Sequence, residues 1–510
     1  MIEYMDVYIY IMYLTLLFFS AITIFLFCFT KPKSYTKSLP PGPSPLPIFG
    51  NLMALLPHIS TPHKYFAKLA KTYGPIVSLQ LGSITAIVIS TPTLAKQVLH
   101  KNHSIFSTLY DLDAIGAHQH DEFSVGPLSP KSPKWKILRK IYSTQLLSEK
   151  MMENMKFHRY KKMEELMGYV RKCALDNISV DVGQALFDTS FDMICSSIFS
   201  MDSRTDSKIT EIKDLMNGII TEIGRPNIVD CYPILKPIDP QRIRHRLTYY
   251  CVDLFNLFDE IIAERLTCRE EKLRCSDVYS DLMDVILDVV EEQKDEITRD
   301  HVHHLLLDLL GAGMDTTSKT MEWAMAELLG NPMMLTKLQQ EIDKVVGKAK
   351  FVFESDISEL PYLQAIVKET LRLHPAAPLL LPRKVEQDIQ IQGYQLPKGA
   401  MLIVNAWAIG RDPESWADPD TFYPERFLGS ELDMKSQFLK LFTFGAGKKI
   451  CVGMPLALRM ISLVLGNLIT CFDWKLLDKQ NLGVEYDMSD QYGITLKKTK
   501  SLCAYPVTRS

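Results

Sequence analysis

The stretch "LFTFGAGKKICVGMPLAL" (441–458) decides how the chain is read, because it fits either a loop that cradles phosphate or one that presents a thiolate to a metal. A phosphate loop needs G-x-x-x-x-G-K followed by Ser or Thr, and a dinucleotide turn needs G-x-G-x-x-G. Neither is met: Lys448 is followed by Lys449, and Ile450 stands where the third glycine belongs. The segment "GAGMD" (311–315) fails the same tests. A single thiolate among small residues suits an axial ligand of haem iron. Gly447 and Gly453 bracket Cys451 and permit a tight turn that aims amide N–H groups at its sulfur. A buried, inert thiol is the competing reading of a lone cysteine.

Outward from this loop, 510 residues with 47% hydrophobic content show no polar break, which points to one large globular unit. A formal net charge of −3 with both signs interspersed leaves no basic excess of the kind nucleic-acid binders carry. The ten cysteines (28, 173, 195, 231, 251, 268, 275, 451, 471 and 503) include no C-x-x-C pair. Zinc and disulfide frameworks are therefore disfavoured, and most of these residues read as buried thiols on a reducing, cytosolic face.

At the other end, "VYIYIMYLTLLFFSAITIFLFCF" (7–29) carries no charge. As a helix it reaches roughly 34 Å, enough for a bilayer core of about 30 Å. It is longer than a cleaved signal core and no small-x-small site follows it, so it reads as a transmembrane anchor. Lys31, Lys33 and Lys37 follow the run while Glu3 and Asp6 precede it, which places residues 1–6 in the lumen and the body in the cytosol. Residues 30–50 form a basic, proline-rich hinge with five prolines between 40 and 50, stiff and extended. Residues 51–510 form the body.

Within that body, "IVSLQLGSITAIVIS" (76–90) reads as two β-branched runs joined by Gly82-Ser83, a hairpin, and 388–407 is a second β-rich patch. Helical periodicity covers 205–222, 250–274, 278–294, 299–329 and 358–373. The fold class is mainly α with a minor β subdomain.

Four further segments carry chemistry. In "LLLDLLGAGMDTTSKTMEWAMAELL" (305–329) an apolar helix holds Gly311, Gly313, Asp315, Thr316 and Thr317. Each glycine lowers helix stability by about 1 kcal/mol and hydroxyls divert backbone bonds, so a local opening of the helix is expected, with Thr316 and Asp315 beside it to bind oxygen and relay protons. A kinked core helix with a satisfied acid competes. Helical spacing puts Leu305, Leu309, Ala312 and Thr316 on one face, with Asp308 near its edge. In "YLQAIVKETLRLHP" Glu369 and Arg372 stand three apart, able to pair either on the surface or in the core. "WKILRK" supplies Trp135 and Arg139 at i and i+4, and "PLLLPRK" supplies Arg383.

These motifs resemble, in order, those of the haem-thiolate monooxygenases, the cytochrome P-450 superfamily. "FGAGKKICVG" resembles its cysteine signature F-x-x-G-x-R-x-C-x-G, with Phe444, Gly447, Cys451 and Gly453 in register. One position departs: Lys449 stands where the family has a propionate-binding arginine, keeping the charge and losing the bidentate fork. Ala312, Gly313, Asp315 and Thr316 resemble the oxygen-activation motif, Glu369 and Arg372 the E-x-x-R pair, and Arg426 of "PERF" the arginine that completes it. Trp135, Arg139 and Arg383 look like propionate-binding elements. The resemblance covers essentially the whole chain and is nearest to plant microsomal enzymes that hydroxylate terpenoids (geraniol and abietane diterpenes) or benzylisoquinoline alkaloids.

The resemblance implies the P-450 fold, with haem b held between the oxygen-activation helix and the cysteine loop. It implies Cys451 as axial ligand, Thr316 and Asp315 as proton carriers, and hydroxylation of a small apolar metabolite with O2. The chain has no nicotinamide or flavin fingerprint, so electrons come from NADPH through a separate reductase, with cytochrome b5 as a further donor. The expected location is the endoplasmic reticulum membrane. Pocket walls, by likeness to the family's recognition segments, are His118 within 106–123, Leu305 and Leu309, Ala377 and Leu380 within 377–381, and Ile494. A terpenoid is favoured over an alkaloid or phenolic substrate. A haem-thiolate isomerase or dehydratase, and a non-catalytic haem or lipid binder, are the rival classes.

Overall fold

Alternation along three strands shows why the small β region holds together. The structure, a computed structural model, describes residues 12–20, 22–23, 39–201, 206–272, 281–293, 295–348, 350–429, 441–476 and 486–509. Strands β1 (Ile76–Leu81) and β2 (Ile84–Ile89) pair antiparallel with Leu81 opposite Ile84, so Gly82-Ser83 is the hairpin turn expected, and Gly82 has φ +61°. β3 (Arg383–Lys384) and β4 (Met401–Val404) complete a sheet of order β1-β2-β4-β3, with β2 and β4 parallel. Ile87, Ile89, Leu402 and Val404 pack on one face; Ala86, Val88, Met401 and Ile403 pack on the other. Period-two side chains thus bury both faces of the sheet.

Everything else of size is helical, and the expectation of a mainly α body with minor sheets holds. The helices that build the site are α1 (Pro133–Ile141), α2 (Val182–Phe199), α3 (Ser207–Ile223), α4 (Ile243–Lys272), α5 (Arg299–Gly330), α6 (Pro361–Leu373) and α7 (Met454–Cys471). α5 starts at Thr298, whose hydroxyl and backbone N–H both meet His301 Nδ1, and stops before Asn331-Pro332. It packs on α2, α6 and α7 at the centre of the main core.

The opening expected in α5 is absent: the helix runs unbroken from 299 to 330. Thr316 and Thr320 hydroxyls donate to the carbonyls four residues back, Ala312 and Thr316, at 2.7 and 2.8 Å, without displacing the helical N–H donors. Gly313 serves packing instead, since a Cβ there would lie 2.5 Å from Ile194 Cδ1 on α2. Burial of the helix outweighs its glycine cost.

Of the anchor expected at 7–29, residues 12–20 are helical, with Leu16, Leu17, Phe18 and Phe19 exposed; residues 7–11, 21 and 24–29, and 30–38 of the hinge, lie outside the described residues. α7 is also long and apolar enough to cross a bilayer, yet Met460 to Thr470 are buried in the core.

Candidate active site around Cys451

The cysteine loop is built from backbone first. Gly445 and Gly447 both take φ +70°, a region that suits glycine, and a Cβ on Gly447 would lie 2.5 Å from the Leu99 carbonyl oxygen. The turn brings the Cys451 N–H to the Phe444 carbonyl at 2.9 Å, and the half-buried Phe444 packs against the main core. Gly453 is the residue from which α7 springs, so the Cys451 sulfur sits at the positive end of an 18-residue helix. Burial pushes the Cys451 thiol up. The Gly453 N–H, the Arg139 charge and the Met454 N–H pull the other way, favouring the thiolate.

Around the loop stand cations that have no anionic partner among the described residues. Arg139, on α1, donates to the Ile450 carbonyl at 2.8 Å, and burial lowers its pKa against the pull of Cys451. Arg383, on β3, is buried, is pulled down to about 10 by that burial, and makes one long bond of 3.4 Å to Ser107 O while its Nε has no partner among the described residues. The Trp135 indole N–H is likewise buried and unpartnered. A group bearing carboxylates is what these donors fit, and haem bears two. Cys451 would hold its iron, and Arg139, Arg383 and Trp135 its carboxylate side.

Lys449 differs from the expectation that it faces a propionate. Its ammonium donates to the carbonyls of Val125, Gly126 and Leu128 at 2.9, 2.6 and 2.6 Å and lies 5.4 Å from the centre of the Trp135 ring. Burial, then the charges of Arg383 and Arg139, bring it down to about 7. A compact ammonium suits three converging oxygens, where a planar guanidinium does not. Lys449 therefore ties the cysteine loop to the segment before α1.

On α5 the face expected from helical spacing is present: Leu305 is buried, Leu309 and Thr316 are half-buried, and Ala312 is exposed although its helix lies in the core. Asp315 is buried and accepts a hydrogen bond from Thr495, next to the half-exposed Ile494. Asp308 is not free for a cation. Its carboxylate accepts from Ser124 at 2.8 and 2.7 Å and from Tyr142 at 3.2 Å, and lies 3.3 Å from His120 Nε2. His120 Nδ1 meets His304 Nδ1 at 2.9 Å, and Phe123 stacks on His304 at 5.5 Å. His118, proposed for the pocket wall, has φ +48° and sets its ring edge-on to Phe255 of α4 at 4.9 Å. Ala377 and Leu380 are half-buried, and Leu380 has φ +49° and packs against the cluster on one face of the β sheet.

Glu369 and Arg372 on α6 are fully buried and joined by two 2.7 Å bonds, and Arg426 Nε reaches Glu369 at 3.0 Å. Arg372 also donates to the carbonyls of Gly410, Pro419 and Thr421. The cluster clamps the 410–426 strap that leads to the cysteine loop, so the core reading holds over the surface one.

The residues missed by sequence reading are Ser124, Tyr142, His304 and Thr495. Three histidines within four positions, His301, His303 and His304, on an apolar helix were the available signal; Thr495 had none.

A thiol offered at a helix N-terminus, beside the half-buried Arg139 and the buried Arg383, which lack anions among the described residues, is the layout of a haem-thiolate protein. The Cytochrome P450 family profile matches residues 40–503, and the chain belongs to that family. It is 45% identical to geraniol 8-hydroxylase of Catharanthus roseus, over 97% of this chain and 98% of that protein. It is 41% identical to drimenol monooxygenase of Persicaria hydropiper, over 93% of each, and 38% identical to ferruginol synthase of Salvia miltiorrhiza, over 98% and 99%. A zebra fish cytochrome P450 solved with progesterone superimposes with a TM-score of 0.73 at 26% identity, covering 88% of this chain and 99% of that one. The chain is a haem-iron monooxygenase of the plant P450 type.

Proposed function

We propose that the protein hydroxylates a terpenoid, with electrons passed from NADPH by cytochrome P-450 reductase and cytochrome b5 as a second donor. The similarity to geraniol 8-hydroxylase, drimenol monooxygenase and ferruginol synthase supports the substrate class. The observation that carries the chemistry is the Cys451 sulfur at the N-terminus of α7. Haem, when bound, supplies the activation of O2 at an iron whose thiolate ligand favours O–O cleavage. The rest falls to the chain. The Gly453 and Met454 N–H groups and the Arg139 charge oppose the burial that pushes the Cys451 thiol up. Arg139, Arg383 and Trp135 hold the carboxylate side; Thr316 and Asp315 supply protons from α5; Leu305, Leu309, Ala377, Leu380 and Ile494 line an apolar pocket. The Asp308 network holds the 118–124 segment over α5 and keeps bulk water out.

The expected membrane arrangement belongs to the same proposal: residues 7–29 span the endoplasmic reticulum membrane, 1–6 face the lumen, and 51–510 face the cytosol. Exposed Leu46, Phe49, Met53, Leu56, Ile234 and Ile238 support a body that also lies against lipid. Their two segments are joined where Tyr232 donates to the Ile48 carbonyl.

The test is a spectrum followed by turnover. The reduced, carbon monoxide-bound protein should show the red-shifted thiolate Soret band, and Cys451→Ala should lose it. Reconstitution with reductase against terpenoid and alkaloid panels reads the substrate class; turnover of alkaloids alone would overturn the terpenoid assignment.

A further inference from the structure

We propose that Thr495 is a positioning residue for the acid Asp315, an inference that rests on the proton-delivery role given to Asp315 above. Asp315 and Thr495 are both buried, and the Thr495 hydroxyl donates to Asp315 Oδ2. Among the described residues no cation lies within ion-pair distance of that carboxylate and no other group donates to it. A neutral hydroxyl fixes the direction in which the carboxyl points without placing a second charge beside it.

Thr495 is itself immobilised. It sits at the tip of the hairpin formed by Asp490–Tyr492 and Leu496–Lys498. The Tyr492 N–H donates to Ser60 O at 2.8 Å, the Leu496 N–H to Ala376 O at 2.9 Å, and the Trp323 indole of α5 to Leu496 O at 3.1 Å. The end of α3 closes in as well, for a Cβ on Gly224 would stand 3.3 Å from the Ile494 nitrogen. Four parts of the chain thus fix one hydroxyl, and through it one carboxylate, beside the pocket residue Ile494.

Thr495→Val keeps the shape and removes the hydroxyl; Thr495→Ser restores it. In the reconstituted holoenzyme, Thr495→Val should lose roughly tenfold in product formed per NADPH consumed, part of the about 10² to 10⁴ that a positioned proton-transfer group contributes. Substrate affinity, read from the binding difference spectrum, should stay near wild type, and Thr495→Ser should recover coupling. Independently of turnover, the infrared carboxyl band assigned to Asp315 by its loss in Asp315→Asn should shift in Thr495→Val and return in Thr495→Ser. An unshifted band, or wild-type coupling in Thr495→Val while Asp315→Asn uncouples, overturns the role of Thr495 alone. Wild-type coupling in Asp315→Asn overturns the relay itself and this inference with it.

Discussion

Glu369 and Arg372 meet through two parallel N–H···O bonds of 2.7 Å with neither side chain exposed to solvent. Removing one partner strands the other as a buried charge, at a cost of about 3–5 kcal/mol. Glu369→Ala and Arg372→Ala are expected to accumulate as protein without haem, measured as the haem-to-protein absorbance ratio and by denaturant unfolding. Arg426→Ala should cost less, because Arg426 gives Glu369 a single 3.0 Å bond and its other bonds go to the exposed carbonyls of Ala417, Asp418 and Thr421.

Gly447 and Gly453 both flank Cys451, but they should respond differently to alanine. At Gly447 the backbone has φ +70° and the new methyl would meet the Leu99 carbonyl at 2.5 Å, so the loop must move; strain of this kind costs about 1–3 kcal/mol. At Gly453 the nearest atom to a Cβ is the Cys451 sulfur at 3.9 Å, an ordinary contact. Gly447→Ala should lower Tm and haem content, and Gly453→Ala should leave Tm close to wild type.

Lys449→Met should destabilise the protein by about 1–3 kcal/mol, because the carbonyls of Val125, Gly126 and Leu128 lose their shared donor. Urea unfolding reads the loss, and limited proteolysis should place new cleavage between 120 and 130. An unchanged cleavage pattern would contradict the tether.

His304 makes stability depend on acid. Burial, helped by the charge of His120 and opposed by Asp308, lowers its pKa from 6.5 to about 3. Between those values the unfolded chain takes up a proton that the folded chain refuses, so stability falls as pH drops through this range, by at most about 1.4 kcal/mol per pH unit. Above pH 6.5 the effect is absent. His304→Phe should flatten the stability–pH slope between about pH 6 and pH 4 by close to one proton.

How far the site was legible depended on how local each relationship is. Cys451 with its glycines, and Glu369 with Arg372, lie within a few residues of each other, so spacing alone carries their geometry. The hairpin at Gly82-Ser83 was equally plain. The opening in α5 was misjudged because propensity ignores burial: Gly311 and Gly313 weaken an isolated helix, yet in the core Gly313 admits Ile194.

The sequence by itself determined the family, through the order of its motifs, and the mainly helical class with small sheets, since periodicity and short-range spacing are written along the chain. Only the tertiary structure decided where Lys449 spends its charge, that Asp308 is held by Ser124, Tyr142 and His120, and that Thr495 grips Asp315 across 180 residues. The reason is physical. A buried polar group must find its partner wherever the packing of the core delivers one, and the packing, not the order of residues, sets that address.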